Sequence, residues 1–66
     1  MKRFGERLRI QRNKRGVTQQ WMAEQLVVDR TTYSNYESGR VEPSLEGLCQ
    51  IADALQCSVD WLLGRE

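Results

Sequence analysis

"TQQWMAEQLVVDRTTYSNYESG", residues 18–39, carries two short helix patterns on either side of a connection with room only for a sharp turn. Thr18 and Asp29 each stand at the head of a pattern, where a side-chain oxygen can accept an otherwise orphan helix N–H. Val17 precedes Thr18 and Met22 follows it by four; Val28 precedes Asp29 and Tyr33 follows it by four. That spacing lets the residue before the cap pack on the fourth helical residue. Pro43-Ser44 with Leu48 and Cys57-Ser58 with Leu62 repeat the arrangement. One match is weak; four, each leading into apolar residues at helical period, predict an all-helical chain.

The helices follow from those starts. Helix 1 is expected over Lys2 to Arg15, with Phe4, Leu8 and Ile10 inward and Gly16 as its stop. Helix 2 spans Thr18 to Leu26 and turns Met22, Ala23 and Leu26 to one face. Helix 3 spans Arg30 to Ser38 and ends at Gly39. Helix 4 spans Leu45 to Leu55, with Leu45, Leu48, Ile51, Ala52 and Leu55 as its apolar stripe; helix 5 spans Val59 to Leu63. The link "LVVD" between helices 2 and 3 is so short that they must cross steeply, the helix-turn-helix geometry.

On a wheel of about 100° per residue, Tyr33 and Tyr36 fall together and hold helix 3 down. Arg30, Thr31, Ser34, Asn35 and Ser38 fall on the other side as an outward row of hydrogen-bonding groups. Apart from Arg30 these side chains are short, so the backbone can approach closely whatever it meets. An ordinary solvated face would carry more Glu and Lys. A DNA major groove admits an α-helix, and its base edges pair with Arg at guanine and Asn at adenine, while a Thr methyl can touch a thymine methyl.

Charge supports that direction. The net charge is only +1, but residues 1–40 hold nine of the ten Lys and Arg against four acids, and residues 41–66 hold one against five. One end therefore suits a polyanion, unless the basic first helix is merely solvated. Sixty-six residues make one domain, 1–66, at the small end of what folds without staples. With no histidine and no CxxC spacing, neither a metal site nor a cofactor is expected, and Cys49 and Cys57 read as reduced thiols of a cytoplasmic protein. No run approaches the ~20 apolar residues of a membrane span. Catalysis finds no support, for no nucleophile stands beside a base and no glycine-rich phosphate loop is present.

The chain resembles the phage repressor/Cro-type, or xenobiotic-response-element-type, helix-turn-helix family. "GERLRIQRNKRGVTQQWMAEQL", "TTYSNYESGRVEPS" and "IADALQCSVDWLL" carry the resemblance over nearly all of the sequence. It implies a compact five-helix bundle, all-α, that binds operator DNA, usually as a homodimer and most often to repress. Helix 3 then corresponds to the recognition helix, with base contacts at Arg30, Thr31, Ser34 and Asn35. Gln19 matches a glutamine that touches a phosphate and buttresses the first recognition residue. Thr18, Ser38 and Arg40 stand where further backbone phosphates are met. Arg12 and Glu37 match an ion pair tying helix 1 to the end of helix 3, although Arg12 alone would also suit a phosphate contact or a solvated charge.

Several positions depart from the family. Val27 stands where the turn often has glycine, so either the turn relaxes or a β-branched residue is strained there. Gln56 replaces another common glycine, Glu42 is acidic where some members are basic, and Ile10 and Gln11 look interchanged. Trp21 occupies a commonly polar position, where it would either pack on helix 1 or shield a sugar-phosphate. Cys57 is expected as a buried small hydrophobe. "VDWLL" covers the core, and through Trp61 it could also offer a dimer patch. The competing reading is a protein-interaction module, such as an adaptor or an antitoxin partner, which the weak net charge and acidic second half would suit.

Overall fold

The computed structural model describes residues 2–66, apart from the side chain of Lys2. In chain order its helices are α1 (Lys2–Arg15), α2 (Gln19–Leu26), α3 (Arg30–Ser38), α4 (Leu45–Leu55) and α5 (Val59–Leu62). The expected extents hold to within a residue: Thr18 caps α2 rather than opening it, and Leu63 closes α5.

All four caps form. Thr18 Oγ1 accepts the Trp21 N–H at 2.9 Å and Asp29 Oδ1 the Thr32 N–H at 2.7 Å. Ser44 Oγ accepts from Gly47 and Ser58 Oγ from Trp61, each at 3.0 Å. The ends of α1, α2 and α4 share one stop, in which two successive N–H groups fold back onto the last turn. After α2, Val27 N–H reaches Glu24 O at 3.3 Å and Val28 N–H reaches Ala23 O at 3.0 Å. This stop needs a left-handed residue at its first position. Gly16 supplies it freely at φ 77°, whereas Val27 and Gln56 are forced there at φ 56° and 55°. The α2–α3 turn therefore does not relax around Val27; the valine takes the strained conformation.

The core is Phe4 and Leu8 of α1, Met22, Ala23 and Leu26 of α2, Tyr33 of α3, Ile51, Ala52 and Leu55 of α4, and Leu62 of α5. Burying these apolar side chains is the main stabilising force. Gly5 is buried too, because α1 crosses the end of α3 so closely that a Cβ there would lie 2.3 Å from the Glu37 carbonyl oxygen. At the other side of α1, Arg7 Nε donates to the Trp61 carbonyl and its guanidinium lies 4.1 Å from the Trp61 ring centroid, tying α5 to α1.

Two expected core positions are corrected. Ile10 is 55% exposed; Gln11 takes the inward side instead and its Nε2 donates to Leu55 O at 3.4 Å. Leu45 is 84% exposed, because the first turn of α4, just past its Ser44 cap, projects beyond the packed face. Trp21 packs: the half-buried indole lies against the core with the Arg15 guanidinium 5.7 Å from its ring. Cys57 is half-buried against the core, and burial, helped by nearby Glu66, pushes its thiol pKa up. Both cysteines are free thiols.

Candidate nucleic-acid interface

The sequence of α3 buries one aromatic ring and one carboxylate, packs a second ring beside them and leaves the other positions partly or fully open to solvent. Tyr33 and Glu37, one turn apart, are its buried residues, and Tyr36 packs half-buried against Tyr33, edge to face at 6.2 Å between ring centroids. Both tyrosines thus lie on the inner side, as the wheel predicted.

Glu37 is the centre of a polar network drawn from three helices. Its Oε2 accepts Arg12 Nε from α1 and the Tyr33 hydroxyl, each at 2.6 Å. Its Oε1 accepts Gln19 Nε2 from α2 at 3.1 Å and Arg12 Nη2 at 3.3 Å. Arg12 Nη1 donates to Val17 O at 3.0 Å, where the chain leaves α1. Side-chain exposure is 13% for Arg12 and 4% for Glu37, so the predicted ion pair forms out of water. Burial by itself drives the Glu37 carboxyl up, but the bonds from Arg12, Tyr33 and Gln19 outweigh it and hold its pKa below the usual carboxylate value. The bond to Glu37 raises Arg12 despite burial, while burial and the same carboxylate drive Tyr33 far up, leaving it a neutral donor. A Tyr at i and a Glu at i+4 are neighbours on a helix face, so that contact had a visible signal. The Gln19 bond had none in the sequence, because it depends on how α2 crosses α3.

On the outer side, Arg30 and Thr31 are exposed and Ser34 and Asn35 are half-buried. None of these four side chains has a hydrogen-bond partner among the described residues. They form one row along residues 30–35 of the nine-residue helix, about 9 Å at 1.5 Å per residue. The positions expected to meet phosphates flank that row. Thr18 caps α2, which occupies an oxygen lone pair and leaves the hydroxyl proton free. Gln19 uses one amide N–H on Glu37 and keeps a second. Ser38 Oγ donates to Asn35 O at 3.2 Å, and Arg40 stands exposed just beyond Gly39. The structure thus gathers all eight expected contact residues around α3 and the start of α2.

Among the described residues, no group of three or more His, Cys, Asp or Glu could hold a metal, and no helix is long and apolar enough to cross a membrane. Arg12, Lys14 and Arg15 sit in the last turn of α1, where cations also complement the carbonyl end of the helix.

Comparison with known proteins places this geometry. Residues 3–62 match the family model described as "Helix-turn-helix domain". The transcriptional repressor RstR of the cryptic phage CTXphi in Vibrio cholerae is 47% identical over 60 residues, which cover 91% of this chain and 54% of RstR. The crystal structure of the P22 c2 repressor in complex with a synthetic operator superposes with a TM-score of 0.89 at 33% identity, over 100% of both chains. The restriction-modification controller protein C.AhdI of Aeromonas hydrophila gives 0.84 at 31% identity, over 92% of this chain and 88% of that one. The chain spans about half the length of the curated relatives RstR, YonR and AnsR.

Proposed function

The chain belongs to the helix-turn-helix family of the phage repressor/Cro type, a family of sequence-specific DNA-binding regulators rather than enzymes, and from that membership we propose that it is itself a transcriptional regulator, acting as a repressor by occupying an operator. In this reading α3 enters the major groove, about 12 Å wide, and Arg30, Thr31, Ser34 and Asn35 read base edges. Thr18, Gln19, Ser38 and Arg40 bind phosphates and set the register. The N-terminus of α2 adds its own preference for an anion. The working unit is a cytoplasmic homodimer of 1–66 domains, with Trp61 and its neighbours as the candidate dimer surface. Its two recognition helices would sit about 34 Å apart, one turn of DNA.

The observation that carries the reading is the outer face of α3, whose four reading side chains have no hydrogen bond to lose among the described residues. Polar groups left open in a row suit a partner that supplies donors and acceptors in register, as base edges do.

Selection of bound sequences from a randomised duplex pool tests it. An enriched inverted repeat with half-site centres about 10 bp apart supports a dimeric operator binder. Asn35→Ala and Arg30→Ala should each lose about 1–3 kcal/mol at one base position and relax discrimination there. Equal binding of the parent and both variants to the selected site would sink the assignment of α3 as the reading helix.

A further inference from the structure

Between α1, α2 and α3 lies an open cleft lined by Arg9, Arg12, Gln19, Ser34, Glu37 and Ser38. Gln19 and Ser38 are the two positions in it for which a phosphate contact was already expected. Resting on the DNA-binding reading above, we infer that this cleft seats one backbone phosphate and that Arg9 supplies the charge that holds it.

The charges inside the cleft decide between the two arginines. Arg12 commits Nε and Nη2 to Glu37 and Nη1 to Val17 O. Its charge is matched by that carboxylate, so Arg12 and Glu37 together present no net charge. Arg9, one turn earlier on α1, is exposed and has no hydrogen bond or ion pair among the described residues. The cleft therefore carries a net +1 that resides on Arg9. The second amide N–H of Gln19 supplies a neutral donor on the opposite wall, and the Ser38 hydroxyl, whose proton is given to Asn35 O, joins it by turning away from that carbonyl. Ser34, at the rim, belongs to the reading row, so an anion held here lies at the edge of the groove that α3 would enter. A guanidinium can grip a phosphate with two parallel N–H bonds. Such a grip ties α1 to the phosphate that Gln19 of α2 also faces, so two helices hold one anion.

The alternative is that Arg9 is a solvated surface charge that acts on DNA only through its long-range field. The test uses the full chain, its selected duplex, and the variants Arg9→Gln and Arg9→Lys. Loss of one phosphate contact lowers the slope of log affinity against log salt by about 0.9. Over the fourfold change from about 50 to 200 mM salt, the affinity ratio of parent to Arg9→Gln should then shrink about 3.5-fold. The selected sequence should stay the same, because phosphate contacts carry no base information. Arg9→Lys should restore most of the slope. A scan replacing single phosphates by uncharged methylphosphonates should find one position that weakens the parent and leaves Arg9→Gln unaffected. An unchanged salt slope in Arg9→Gln, or a scan identical for the two chains, overturns the phosphate seat while leaving the DNA reading intact. Failure of the parent to enrich any sequence overturns both.

Discussion

Replacing Val27 by glycine should make the protein more stable, although it removes a side chain and adds freedom to the unfolded chain. Val27 sits at φ 56°, ψ 46°, with its N–H turned back onto the last turn of α2. For an L-residue that conformation costs about 1–2 kcal/mol, because Cβ crowds the following carbonyl, and a second branch at Cβ adds to the crowding. Glycine has no such penalty but gives back about 0.5–1 kcal/mol through its larger unfolded-state entropy. Val27 is 89% exposed, so almost no burial is lost with the side chain. The balance is a gain of about 1 kcal/mol, which for a domain of this size raises Tm by about 4–8 °C. Thermal and urea melts followed by circular dichroism measure it directly. Val27→Ala separates the causes: it removes the branch but keeps Cβ, so it should recover only part of the gain. A Val27→Gly protein that melts at or below the parent would refute the argument, since the left-handed valine would then cost no more than the entropy that glycine adds to the unfolded chain.

Arg12→Ala should destabilise by about 3–5 kcal/mol, because it leaves Glu37 charged and out of water, and urea unfolding should place it near the edge of folding. Tyr33→Phe keeps the ring in the core and removes one donor to that carboxylate, so about 1.5–3 kcal/mol should be lost in the same assay. Gly5→Ala, normally favourable inside a helix, should instead cost about 1–3 kcal/mol, since the new methyl would meet the Glu37 carbonyl at 2.3 Å; a more stable variant would refute so close a crossing of α1 and α3. Acid should find Glu37 as well. Its folded pKa is depressed, so its contribution is fully present above the ordinary carboxylate value near ~4.3 and is lost as pH falls through the lower folded value. Tm measured from neutral pH downward should hold until about that value and then fall, less steeply in Glu37→Gln. Asp29, depressed by the Thr32 N–H, adds to the same limb, and Asp29→Asn isolates its share.

Most of the architecture was legible because it is written in local signals. A cap such as Thr18 or Ser44 acts on the turn that follows it, and the helix period of Ile51, Ala52 and Leu55 needs no distant partner to be seen. One of the two errors goes against the period: on the phase of Phe4 and Leu8, at about 100° per residue, position 11 falls on their side and Ile10 does not. The other is a matter of depth. Leu45 has the right phase for the apolar stripe of α4 but lies one turn beyond the packed face. In the candidate site the reading row could be drawn on a wheel, whereas the Gln19–Glu37 bond and the cleft beneath Arg9 depend on crossing angles between helices. Val27 was recognised as anomalous in the sequence, but its strain follows from the pair of N–H bonds that close α2.

The way α3 is anchored also explains its composition. An amphipathic helix normally gives an apolar stripe of about 100° or more to the core, and on nine residues such a stripe would take positions needed by a row facing outward. Here Tyr33 fills the core and Glu37, through donors on α1, α2 and α3 itself, supplies the rest of the attachment. A buried ion pair is often no more stabilising than a well-packed apolar pair, so stability is a poor account of why a carboxylate stands there. Direction is a better one: apolar contact tolerates sliding, whereas four bonds converging on two oxygens fix the position of the helix and its rotation about its own axis. That rotation decides which side chains of α3 face out. The network thus does for orientation what the Thr18 and Asp29 caps do for the starts of the two helices, and it leaves Arg30, Thr31, Ser34 and Asn35 free of structural duties.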